Sequence, residues 1–397
     1  MLLLSYVKKL LTSIAVFIFV YTVYSLQLGD GTSINSYVPK MIMKDVKQVI
    51  TNDVYTVVLT KDLKVFATGY YSNSIPYVDG VLDGADSFIK IAENVDTIYN
   101  GVYLRYVDKT LGLPISKSLS FKNISFDKHI NNVIYFDKNN YLMLLIDAYN
   151  NLWIKGREVK SVKESKYGNT YEYSSETNGF KKIDNNVIFA YSSNNMLIYL
   201  KKDGTVWARG DNSTRKLKNC DEKIFLESRK IAEDIDKCFI KEYVYFIDKY
   251  KNLIKIENGN HITIDTDVKS ISDFFYIKND DSLFAYGFGC YGSLGVGKTD
   301  EVNVPPTFVM SNVKKAIGTE FHSLILTNDY KLYACGGGHC NFGANGNGSK
   351  ERLDYPILIM EDVKDFSISN YHSMVIKNDD TLWGFGLNNI NEQELYY

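Results

Sequence analysis

Catalysis or metal binding in this chain would have to start from histidine, cysteine or paired carboxylates, and there are only five residues of each of the first two. Cys335 and Cys340 bracket the run CGGGHC, with His339 inside it, a zinc corner that would need two further ligands. No C-x-x-C pair supplies them, and the glycines of the run fall at a turn position shared by other segments, so no metal is expected. With Cys220, Cys238 and Cys290 the set is odd, allowing at most two disulfides and leaving one thiol over. Two carboxylates brought together from distant loops could hydrolyse a glycosidic bond, and a carbohydrate-active or other hydrolytic enzyme is the alternative reading. Asp203, Asp280, Asp281, Asp379 and Asp380, however, occupy hairpin turns, which favour Asp for backbone reasons. His129 and His261 fall in polar segments that read as connections. His322 and His372 each precede Ser at one register and read as hydrogen-bonding core residues. The sequence has no H-E-x-x-H, G-x-S-x-G, phosphate-binding glycine loop or EF-hand loop. Neither an enzyme nor a cofactor is expected.

Charge excludes a second class. A formal net charge of −2 leaves no basic excess to neutralise phosphates, so nucleic acid is not an expected partner. Tyr is abundant (31) while Trp (3) and Pro (6) are scarce, a mix suited to strands and turns. It also fits the codon bias of an AT-rich bacterial genome. Residues 1–25 differ from the rest: Lys8 and Lys9 precede an apolar run from Leu10 to Val23, shorter than the roughly 20 residues of a spanning helix. This reads as an export signal, either cleaved after Ser25 or kept as a signal anchor, in preference to a buried core strand, and membrane contact is expected only if it is kept. The expected location is extracellular or at the cell surface.

The elements that would position any site come from a repeat. Segments starting at Val46, Val133, Val187, Val313 and Val363 each run 23 positions to a glycine, at Gly69, Gly156, Gly210, Gly336 and Gly386. Each holds an apolar stretch, a polar turn such as Asp203-Gly204, and a short strand carrying Phe66, Trp153, Trp207, Tyr333 or Trp383. Strand, tight turn, strand is a β-hairpin. Pro39, Pro306 and Pro356 each stand seven residues before the next such Val, as if at a strand entrance, and follow the glycine runs LGDG, LGVG and NGNG. Weaker copies start at Val95, Ile235 and Val268, giving about eight units of irregular length, as blades with variable loops would have. The last unit stops where others continue into their glycine and proline half, and residues 26–43 supply such a half. The expected fold is therefore all-β: a closed propeller over 26–397 of seven or eight four-stranded blades, with N- and C-terminal strands sharing one blade.

These repeats resemble the regulator of chromosome condensation propeller family, through His322-Ser323, His372-Ser373, the Asp203–Asn212 hairpin, and the run from Gln27 to Pro39. The resemblance implies a propeller, usually of seven blades, and says little about function. Exported bacterial members, including inhibitors that cap β-lactamases, imply binding through one ring face to a protein or cell-surface polymer. In a closed ring the loops after the register glycines share one side. Tyr70, Tyr71, Phe288, Tyr291 and Phe342 lie in them and are the candidate partner-binding residues. Two non-repetitive inserts, Arg157 to Lys182 and Asp211 to Glu233, are the next candidates, the second with helix-like spacing at Ile224, Phe225 and Ile231.

Overall fold

The computed structural model describes residues 26–388 apart from 70–84, 100–101, 116–124, 130–131, 140, 164–168, 176, 178, 194, 214–216, 218–219, 241–242, 298–302 and 338–341. Every regular element among the described residues is a strand, and none of them forms a helix long and apolar enough to cross a membrane. Residues 1–25, expected to be an export signal, lie outside the described residues. Eight four-stranded antiparallel sheets form eight blades. Blades 1 to 7 span 46–92, 95–129, 133–184, 187–232, 235–265, 268–310 and 313–360, and blade 8 joins 363–386 to 36–43. The three weak copies are blades 2, 5 and 6, so the ring has one blade more than the resemblance implies.

First strands of neighbouring blades touch. Gln48 Nε2 donates to the carbonyl of Ile98 at 2.8 Å while its Oε1 accepts from the Ile98 N–H at 3.0 Å. Lys315 Nζ reaches the carbonyl of Phe366, and Thr51 Oγ1 lies 2.8 Å from Ser367 Oγ. First strands thus converge on the axis, and fourth strands form the rim. Apolar clusters fill the spaces between blades, as where Leu28, Val46, Val49 and Val58 meet Met374, Ile376 and Leu382 across the boundary of blades 8 and 1. The strand Ser36–Met43 pairs antiparallel with Leu382–Gly386 as the fourth strand of blade 8, so the ring closes on shared N- and C-terminal strands.

Two backbone devices recur in every blade. The residue before each first Val or Ile is Asn or Asp in the left-handed region: Asp45, Asn94, Asn132, Asn186, Asp234, Asp267, Asn312 and Asp362, with φ from 58° to 64°. These two residue types tolerate that conformation best after glycine. The N–H of the following Val or Ile then donates to a carbonyl in the second-to-third turn of the preceding blade: Val95 to Leu63, Val133 to Lys109, and onward to Val363 and Tyr330. Val46 completes the circuit on Asp380 at 2.9 Å.

Fourth strands depart most from the sequence expectation. His129 and His261 lie in fourth strands, Ser125–His129 and Asn260–Asp265, not in connections. Asn260–Asp265 is mostly solvent-exposed, so its polarity resembles that of a loop. Ile224, Phe225 and Ile231 belong to another fourth strand, Ile224–Ala232, not to a helix. Register shifts against Val206–Asp211 bend it and break strict alternation. Pro39, Pro306 and Pro356 stand within fourth strands, at register shifts, not at their entrances. At a bulged edge strand no ladder bond is lost.

Candidate partner-binding face

Because strands alternate in direction, first-to-second and third-to-fourth connections of every blade emerge on one face of the ring. Second-to-third turns and blade-to-blade connections occupy the other. Among the described residues, the longer connections lie on the first, or loop, face. Its loops start at the register glycines, where φ is positive at Gly69, Gly156, Gly210, Gly336 and Gly386. A Cβ at these positions would collide with the backbone of the adjoining strand, the Tyr141 carbonyl at Gly156 and the Tyr371 carbonyl at Gly386. In blades 4 and 8 an asparagine two residues on fixes the loop. Asn212 Oδ1 accepts from the Leu217 N–H at 3.0 Å in blade 4. In blade 8 Asn388 Oδ1 accepts from the Leu28 N–H at 3.0 Å, across the two ends of the chain.

Of the five candidate residues, Tyr70 and Tyr71 lie outside the described residues. Phe288 ends the third strand of blade 6 and is 52% exposed. Tyr291, in the left-handed region at φ 53°, places its ring 5.8 Å from Phe321. Phe321 stacks on Tyr371 at 5.6 Å, and Tyr371 meets Phe342 edge-on at 6.2 Å. Phe342 is buried, only 5% exposed, and underpins the row instead of facing solvent. Tyr291, Phe321 and Tyr371 therefore form a half-buried aromatic stripe across blades 6, 7 and 8, and Phe288, three residues before Tyr291, is half exposed. Phe321 and Tyr371 were not singled out by sequence, although each immediately precedes one of the two His-Ser pairs.

Those pairs lie beneath the stripe. His322 Nε2 is 3.0 Å from Ser373 Oγ, and Ser373 Oγ donates to the carbonyl of Ala344, so His322 carries its proton on Nε2. His372 Nε2 is 3.0 Å from Thr56 Oγ1, and its Nδ1 is 2.8 Å from Ser369 Oγ. Burial pushes His322 down to about 4 and His372 to about 3. Both are neutral near pH 7 and link blades 7, 8 and 1.

The turn carboxylates sit on the opposite face. Asp203 Oδ1 accepts from the N–H and hydroxyl of Thr205, whose Oγ1 accepts from Trp207 Nε1. Asp379, Thr381 and Trp383 repeat this arrangement, and Asp280 accepts from the Ser282 N–H. These bonds hold Asp203, Asp280 and Asp379 below the usual carboxylate range, which suits a turn better than a general acid. Asp281 pairs with Lys269, and Asp380 with Lys61 and Lys364. Cys220, Cys238, Cys290 and Cys335 are free thiols, and burial raises the Cys335 thiol to about 12. His339 and Cys340 lie outside the described residues.

The segment from Arg157 to Lys182 folds as a hairpin, Val159–Lys163 with Thr170–Tyr173, before it supplies the fourth strand of blade 3. Tyr173 stacks on Tyr141 at 4.4 Å and donates to Asn195 Oδ1 at 2.7 Å. Tyr171 donates to Asp211 Oδ2, and Glu158 pairs with Arg209. The hairpin is thus fastened to blade 4 on the loop face.

No family model matches the chain, and no curated protein does. Solved structures do. Human WBSCR16 superposes with a TM-score of 0.53 at 12% identity, over 91% of this chain and 97% of that one. Yeast RCC1 (Prp20), solved with Kap60 bound, superposes with a TM-score of 0.51 at 12% identity, over 88% of this chain and 81% of that one. At such identity the likeness shows the fold alone, and that fold is the propeller implied by the repeats.

Proposed function

We propose that this chain is a non-catalytic scaffold that binds a protein partner through the loop face of its ring, outside the cell or at its surface. The observation that carries the reading is the stripe of Tyr291, Phe321 and Tyr371, with exposed Phe288 three residues before Tyr291 in the chain. Large rings already held by their neighbours give contact area at little further entropic cost, as binding hot spots do. Yeast RCC1 (Prp20), a solved propeller of this fold, has a bound protein, Kap60. Export rests on the charge and apolar pattern of residues 1–25.

The test immobilises residues 26–397 and captures partners from culture medium and surface extract. Replacing Phe288 and Tyr291 together by Ala should weaken capture at least tenfold while the melting temperature stays constant. Undiminished capture would move the interface elsewhere. Finding the native protein only in the cytoplasm would remove the surface partner from the proposal.

A further inference from the structure

We propose that the cleft between the added hairpin and blade 4 binds a carboxylate carried on an aliphatic body, specifically the C-terminal residue of a peptide chain. The cleft encloses about 180 Å³, a volume suited to a single amino-acid residue. Its polar wall has three cations, Arg157, Lys160 and Arg209, against one acid, Glu158. Arg209 is only 15% exposed. Its Nη2 donates to Glu158 Oε1 at 2.6 Å and to the carbonyl of Leu226 at 2.8 Å. Among the described residues nothing accepts from its Nε or Nη1. Both donors reach solvent, so they can turn to an anion entering the cleft without giving up a bond within the fold.

The neighbouring groups define that anion. Arg157 and Lys160 are exposed and form no ion pair among the described residues. Ser174 Oγ accepts from the Glu158 N–H and keeps its own hydrogen to donate. Glu158 offsets one positive charge, so the wall suits a carboxylate better than a polyphosphate. The rest of the lining is apolar: Leu142, Val159, Met196, Leu197, Phe225 and Leu226. Inorganic phosphate would leave this wall against water, whereas a terminal aliphatic residue would cover it. Charge-assisted bonds from Arg157 and Arg209 would then orient the carboxylate.

Titration calorimetry with N-acetyl-Leu-Leu, its C-terminal amide and inorganic phosphate tests the proposal. The free acid should bind saturably and the amide at least tenfold more weakly. Arg157→Gln, at a side chain with no described fold contact, should reduce acid binding tenfold without changing the melting temperature. Arg209→Gln should do at least as much. The Phe288→Ala, Tyr291→Ala variant should bind the dipeptide as the parent does, so this site and the aromatic stripe can fail separately. Equal binding of acid and amide, phosphate binding as tightly as the acid, or an Arg157→Gln variant with unchanged affinity would overturn the proposal. So would absence of saturable binding at millimolar concentration.

Discussion

His322 and His372 are buried as neutral rings, and that state has a cost in acid. An unfolded histidine takes up its proton near pH 6.5, whereas the folded ones hold out to about 4 and about 3. Between those limits the unfolded chain binds more protons, so stability is full above pH 6.5 and falls as the pH drops towards 4. The loss should reach on the order of 3 kcal/mol per site, with incomplete additivity because the two rings influence each other. Urea midpoints between pH 7 and pH 4.5 should fall steeply, and a His372→Gln protein should show a shallower slope from a lower starting stability. Identical slopes would remove the histidines as the cause. The Asn388 amide invites a second measurement: it is buried, accepts from the Leu28 N–H and donates to Asp30 Oδ1 and the Thr32 carbonyl. Asn388→Ala should cost about 1–3 kcal/mol in urea unfolding, and a loss below 0.5 kcal/mol would show that the two ends are held by packing alone. The His-Ser register was legible because it recurs beside an apolar strand. Their polar partners come from the next blade: Thr56 had no sequence signal, and Ser373, legible as half of its own pair, gave no sign that it meets His322.

The repeating elements carry two devices that a search for conserved spacing overlooks. One is a charge pair between the second residue of a first strand and the turn of the same blade. It runs Asp96 to Lys109 and Asp236 to Lys251 in two blades, but Lys269 to Asp281 and Lys364 to Asp380 in two others. Position is kept while sign is exchanged, so no single residue type marks it, and exposed pairs of this kind contribute little stability in any case. The other is the Asn or Asp at positive φ before every first strand, which marks all eight blades, including the three weak ones. Second strands were readable as apolar stretches because both their faces pack, whereas fourth strands such as Asn260–Asp265 face solvent and lack that signal. The positive φ is testable at Asn132, φ 60°. Asn132→Gly should leave stability within about 0.5 kcal/mol, while Asn132→Val should cost roughly 1–2 kcal/mol because a β-branched residue resists the left-handed region. Equal urea midpoints for the two variants would show that the turn can relax without penalty.

At the scale of the whole molecule, stability depends on a ring in which each blade is completed by its neighbours. The circuit of N–H donations from each first strand to the preceding blade has no terminus, since Val46 returns to Asp380. The covalent chain does not close, and its first and last described strands meet inside blade 8. Residues 26–43 bring Leu28 into the core between blades 8 and 1, cover the edge of Leu382–Gly386, and supply the partners of Asn388. Without them that strand would expose unpaired N–H and carbonyl groups, which recruit another chain, and the apolar boundary beside Met374 and Ile376 would open to water. Deleting residues 26–43 should therefore abolish the single cooperative melting transition and yield oligomers by light scattering. Adding back a synthetic peptide of residues 26–43 should restore a monomer and part of the transition, because the missing strand pairs along the whole of Leu382–Gly386. A truncated protein that stays monomeric and melts as the parent does would mean that blade 8 closes the ring without its fourth strand, and the closure described here would fail.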